Sequence, residues 1–189
     1  MTTASEPPDP SQNIDEFLKI HWLQLEIDAL KLAKVYSLDL NELLSRTQVT
    51  IWQNWETTVQ SLEESARRGY ARTTLANHAR NLNRLRHKQH EELRSFSDED
   101  IHDISGATSA WRDPAVEIVF RDGELMIYRA IAHLQGKQKD VMALIALGWD
   151  HRSISDQLQM SDTHVKSTLH RARIVLREIL AATFGTAND

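Results

Sequence analysis

The chain contains no cysteine, so a disulfide framework and a thiolate metal site are both excluded. Proline and glycine are scarce, 4 and 6 in 189 residues, which argues against a turn-rich all-β design. The longest uninterrupted apolar run, Val141 to Leu147, falls far short of the ~20 residues that cross a bilayer. The opening segment MTTASEPPDPSQN lacks the basic and then apolar pattern of an export signal. A cytoplasmic location without membrane insertion is expected. No glycine-rich phosphate loop and no Ser/His/Asp arrangement is present, so neither a catalytic centre nor a cofactor is expected. His87 and His90 lie three apart, with His78 further up the same segment. No acid or cysteine completes a coordination shell for them, and no metal is expected.

Hydrophobic residues at 41% and charged residues at 26% fit a soluble globular protein, and the scarcity of turn residues makes it all-α. The length allows one medium or two small domains. The net charge of −5 is unevenly spread: residues 1–66 carry −7, 67–94 carry +6, 95–115 carry −4 and 116–189 balance to zero. A basic stretch between acidic ones suits a protein with one face turned to phosphates. It equally suits a solvated helix face.

Pro7, Pro8 and Pro10 among small polar residues mark 1–12 as a disordered tail. Apolar residues then recur at helical spacing from Ile14 to Val35, with Phe17, Leu18, Leu25, Leu30 and Ala33 prominent. A second helix is expected to begin near Asp39, capped by it while Glu42 reaches back, and to carry Leu43, Leu44, Thr47, Ile51, Trp52 and Trp55. A basic helix follows Gly69 and runs to about His90. Residues 13–94 thus form a first helical domain. The acidic, aperiodic stretch 95–115 reads as a flexible linker, and 116–184 as a second helical domain before a short tail, 185–189. Within that second domain helices are expected over Val116–Leu134 and Lys137–Leu147. The tryptophans at 22, 52, 55, 111 and 149 read as core and docking residues rather than a cofactor box, with core packing favoured for Trp52 and Trp55.

The segment HRSISDQLQMSDTHVKSTLHRARIVL reads as a helix–turn–helix. Ile154 and Leu158 sit four apart on one helix, Met160 fills the turn and Ser161 can cap the next helix. Val165, Leu169, Ala172 and Leu176 fall on one side of that second helix and face the core. The opposite side carries Thr163, Ser167, His170 and Arg171, flanked by His164, Lys166 and Arg173. Short hydroxyls and imidazoles that reach base edges, with cations at the rim, are what a major-groove reader needs. An ordinary amphipathic surface helix is the alternative.

The residues LQGKQKDVMAL, GWDHRSISDQLQMS and HVKSTLHRAR resemble, in order, the fourth conserved region of the extracytoplasmic-function sigma factors. Val165 to Arg173 carries the closest likeness. Gln159 stands where that family's turn usually has glycine, so a left-handed non-glycine residue is expected there. Gly136 replaces a usual proline. RRGYARTTLANHARN is similar to the family's second region, matching at Arg68, Gly69, Arg72, Leu75, Ala79, Arg80 and Asn81. ELLSRTQVTIW matches at Leu43, Thr47 and Trp52. Thr74, Ala71 and Arg46 depart from the usual tryptophan, phenylalanine and acid.

The resemblance implies two small helical domains, region 2-like and region 4-like, and a function in directing core RNA polymerase to promoters. It implies that Arg152, Ser161, Thr163, His164, Lys166, Ser167, His170, Arg171 and Arg173 meet duplex DNA at the minus-35 element. It further implies that Arg67, Arg68, Tyr70, Arg72, Asn77, Arg80, Asn81, Arg84, Arg86 and Lys88 meet the melted minus-10 strand. Docking on core polymerase falls to Leu43, Leu44, Arg46, Thr47, Gln48 and Trp52, and an anti-sigma factor is an expected further partner. Two other readings stay open: a stand-alone helix–turn–helix regulator, and a sigma-like interaction protein without DNA binding.

Overall fold

A computed structural model describes residues 10–96 and 122–185, and every described element is helical. Helix α1 spans Pro10–Tyr36. It opens on proline, whose fixed φ and missing N–H suit a first helical position. Ile14, Phe17, Leu25, Ala29, Leu32 and Val35 form its buried stripe. The helix ends at Ser37, a left-handed residue at φ 54°, where Leu38 N–H closes back on Ala33 O at 2.9 Å.

Helix α2, Leu40–Gln53, is capped as expected: Asp39 Oδ1 accepts from Glu42 N–H at 2.8 Å. The reciprocal half of the capping box is absent. Glu42 turns instead to Arg46, one turn on, with Nε–Oε1 at 3.0 Å and Nη2–Oε1 at 2.9 Å. A single π-helical turn, Trp55–Val59, follows and carries both of its terminal residues into the core. Helix α3, Glu64–Phe96, starts before Gly69 rather than after it.

Helices α4, Asp122–Ala132, α5, Gly136–Ala146, α6, His151–Leu158, and α7, Asp162–Gly185, make up the C-terminal half. The expected linker lies almost wholly outside the described residues, as do 116–121 of the helix expected over Val116–Leu134. Helix α5 stops where Gly148 takes φ +79°, letting Gly148 N–H reach Ile145 O at 2.8 Å and Trp149 N–H reach Leu144 O at 3.1 Å, a Schellman-type end.

The two halves share one hydrophobic core. Helix α1 is its spine, packing on α2 and α3 and also on α4 and α5. Polar contacts reinforce this join. Tyr36 donates to Asp140 at 2.7 Å, and Arg72 bridges Asp28, at 2.8 Å, and the Leu147 carbonyl. No described helix is long and apolar enough to cross a membrane.

Candidate nucleic-acid interface

The helix–turn–helix is built from α6, α7 and the turn between them. Asp150 caps α6, accepting from Ser153 N–H at 2.9 Å and Ser153 Oγ at 3.0 Å. Those bonds hold its carboxyl below the usual aspartate range. Ile154 and Leu158 are buried beneath the turn. Gln159 adopts the left-handed conformation foreseen for it, φ 52° and ψ 48°, and redirects the chain. Ser161 then caps α7, its Oγ accepting from His164 N–H at 3.2 Å.

Val165, Leu169, Ala172 and Leu176 are all buried, so α7 is held by the stripe read from its spacing. The same rotation turns Thr163, His164, Lys166, Ser167, His170, Arg171 and Arg173 to solvent, and Arg152 and Ser161 are exposed beside them. All nine side chains assigned to the minus-35 element are therefore exposed. Besides Ser161, whose Oγ caps α7, three of them are partly occupied by the helix itself. Lys166 pairs with Asp162 at 2.6 Å, Ser167 Oγ donates to His164 O at 3.0 Å and Arg171 Nε to Ser167 O at 3.4 Å. All three are exposed i, i+3 or i, i+4 contacts, weak enough to be exchanged for a phosphate or base edge.

The ten residues assigned to the minus-10 strand lie on α3 but are not equally available. Arg68, Asn77, Asn81, Arg84 and Lys88 are exposed. Asn81 Oδ1 accepts from Arg84 at 3.1 Å, and Asn77 Oδ1 accepts from Arg80 and from Gln157 of α6, each at 2.5 Å. Tyr70 packs against the core. Arg67, assigned by the resemblance to the minus-10 strand, lies 5.7 Å over the Trp55 ring and donates to Gln60 O at 2.7 Å. It braces the π-helical turn. Arg86 donates to the Ser37 carbonyl, closing off the strained end of α1. Arg72 is held by Asp28, which is almost wholly buried in α1.

The docking set divides along the amphipathic axis of α2. Leu43, Leu44 and Thr47 are buried, Thr47 donating back to Leu43 O at 2.8 Å. As core side chains they orient the helix and cannot themselves touch a partner. Arg46, Gln48 and Trp52 are exposed, joined by Val49. The tryptophans separate cleanly: Trp55 is 2% exposed and Trp52 67%. Behind this ridge, Thr50 Oγ1 and His78 Nε2 lie 2.9 Å apart. Burial, aided by the Arg46 cation, holds the His78 imidazole below its usual range.

Asp28, Tyr36, Asp140 and Gln157 escaped the reading of the sequence, although they tie the functional helices together. An acid on the apolar side of α1 was the available signal, since a buried carboxylate needs a partner. Tyr36 is driven to stay neutral, first by burial and then by Asp140.

Residues 124–176 match the family model described as Sigma-70, region 4. The match covers most of α4, all of α5 and α6, and α7 through Leu176. It thus contains every element of the helix–turn–helix and its exposed face. No curated protein and no solved structure matches the chain.

Proposed function

We propose that the chain is a sigma factor of the extracytoplasmic-function type, which binds core RNA polymerase and directs it to a subset of promoters. The observation that carries this reading is the region 4 match falling on a helix whose apolar stripe is buried and whose nine assigned DNA contacts are all exposed. In this reading α7 enters the major groove at the minus-35 element. Its amino-terminal residues meet base edges, and Arg152, Lys166 and Arg173 meet phosphates. The basic helix α3 takes the melted minus-10 strand, with Arg68, Arg84 and Lys88 along the backbone and Asn77 and Asn81 positioned for bases. Arg67, Arg72, Asn77, Arg80, Asn81, Arg84 and Arg86 each exchange a present hydrogen bond for the strand, and Tyr70 its packing against the core.

The exposed ridge of Arg46, Gln48, Val49 and Trp52 is the surface offered to polymerase. An anti-sigma factor would act by covering one of these surfaces. The bond-forming chemistry belongs to the polymerase, and the protein works in the cytoplasm. The stretch 95–115 serves as the tether between the region 2-like and region 4-like domains.

Run-off transcription with core polymerase tests this directly. Promoter-specific transcripts that depend on the added protein are expected. DNA binding without core and without transcript stimulation would identify a stand-alone regulator. Failure to bind either core or DNA would identify an interaction protein.

A further inference from the structure

Asp28 of α1 is almost wholly buried and has both carboxylate oxygens taken: Gln24 Nε2 donates to Oδ1 at 3.1 Å and Arg72 Nε to Oδ2 at 2.8 Å. The acid is neutralised in place. This cluster forms part of the wall of a cleft of about 360 Å³, which Lys31 of α1 and Ser65 and Arg68 of α3 also line. Asp28 is the one acid among the lining residues. Lys31 is half-buried and Arg68 exposed, and among the described residues neither has an ion-pair or hydrogen-bond partner. The cleft therefore carries two uncompensated cations. Like charges on two helices of one cleft repel each other, the more so where a side chain is partly withdrawn from water and salt. An anion between them turns that repulsion into attraction.

We propose that this cleft binds a phosphate group, with Lys31 and Arg68 as its counter-charges and the Ser65 hydroxyl as a further donor. Lys31 sets the site apart. It belongs to none of the surfaces assigned above to DNA or polymerase, and it brings a second helix, α1, to the basic face of α3. A phosphate of this kind has two sources: a free polyphosphate, such as the pyrophosphate group of a nucleotide, or the backbone of the melted strand. The second source rests on the strand-capture reading of α3 given above. The first does not.

Lys31→Gln removes the charge and Lys31→Arg keeps it, and both retain a long polar side chain. Each variant and the unsubstituted protein are titrated calorimetrically with sodium pyrophosphate at fixed ionic strength. Lys31→Gln is expected to bind pyrophosphate about tenfold or more weakly than the unsubstituted protein, and Lys31→Arg to restore binding. A labelled random-sequence single-stranded oligonucleotide, titrated at several salt concentrations, identifies the source. If the strand backbone fills the cleft, Lys31→Gln weakens oligonucleotide binding and lowers its salt slope by about 0.7, the value of one phosphate. If a free polyphosphate fills it, pyrophosphate binding alone responds. A Lys31→Gln variant indistinguishable from the unsubstituted protein in both titrations would overturn the proposal and leave Lys31 and Arg68 as solvated cations. Should all three proteins fail to bind the oligonucleotide, the strand-capture reading falls, and the pyrophosphate titration still decides whether the cleft holds phosphate.

Discussion

Tyr36 at the end of α1 donates its hydroxyl to Asp140 of α5 at 2.7 Å, across 104 positions of sequence. The phenol is buried and the carboxylate half-buried, so each satisfies the other away from water. Tyr36→Phe leaves Asp140 without this donor and should destabilise the fold by about 1–3 kcal/mol, read by urea denaturation. The folded state also holds the Tyr36 pKa above its ordinary value of 10.0, chiefly through burial. Below that ordinary value both states keep the proton and the contribution is complete. As pH rises past it the unfolded chain ionises first, and stability is lost. The alkaline loss should be smaller in Tyr36→Phe, and an unchanged profile would mean that the phenol is not buried against Asp140.

His78 gives the opposite side of the pH profile. Its pKa is lowered from 6.5 by burial and then by Arg46, so the folded state prefers the neutral ring. Above pH ~6.5 both states are neutral and nothing is lost. As pH falls below that value the unfolded chain gains a proton that the folded state resists, and stability declines. His78→Gln, which can still face Thr50, should flatten this decline. Denaturation midpoints across the acid range would show it, and a profile as steep as that of the unsubstituted protein would contradict the burial of the ring.

Gln159 is a non-glycine residue in the left-handed region at φ 52°, a conformation costing L-residues about 1–2 kcal/mol. Gln159→Gly should recover about 1 kcal/mol of this and raise the melting temperature by about 2–4 °C. Affinity for duplex DNA should be unchanged, because the α7 face is untouched. Gly69 is the converse case. It lies inside α3, and an added Cβ would meet nothing within 4 Å. Gly69→Ala should therefore stabilise by about 0.5–1 kcal/mol, measurable by the same melts.

What the sequence made legible follows from what each signal contains. The stripe Val165, Leu169, Ala172 and Leu176 fixes the rotation of α7, because burial and spacing are two statements of one geometry. Gln159 was readable because it stands where the resembled family usually has glycine, a residue that marks a left-handed turn. The cations of α3 were less legible. Net charge places Arg67, Arg72 and Arg86 on a basic helix, but it cannot say that their partners are Trp55, Asp28 and Ser37, which fold back from elsewhere in the chain. The docking set divides for another reason: the resemblance selects positions along α2, whereas the amphipathic rotation decides which of them reach the surface.

Arg171 and Ser167 should separate base reading from phosphate holding. Ser167 is short and close to the amino-terminal end of α7, and its loss should relax preference at one base pair by about 1–3 kcal/mol. If Arg171 holds a phosphate, Arg171→Ala should weaken every duplex alike and lower the salt dependence of binding. Both side chains are exposed, so neither substitution should lower the melting temperature. A panel of duplex variants titrated at several salt concentrations distinguishes the two, and unaltered binding by both variants would remove the assignment of this face.

On α2 the same logic separates a docking residue from a core residue. Trp52 is 67% exposed and Leu43 fully buried, although the two occupy one helix and one assigned set. Truncating a buried leucine costs about 2–5 kcal/mol through lost transfer energy and the cavity left behind. Leu43→Ala should thus lower stability first and polymerase affinity only as a consequence. An exposed tryptophan contributes little to the fold, and surface substitutions usually stay within about 0.5 kcal/mol. Large aromatics are nevertheless favoured anchors at interfaces, where their loss costs about 2 kcal/mol or more. Trp52→Ala should leave the denaturation midpoint in place and weaken core polymerase binding more than tenfold, as read by titration of labelled core. If Trp52→Ala binds core like the unsubstituted protein, the ridge of Arg46, Gln48, Val49 and Trp52 is not the docking surface, and the region 2-like assignment of the N-terminal half loses its support.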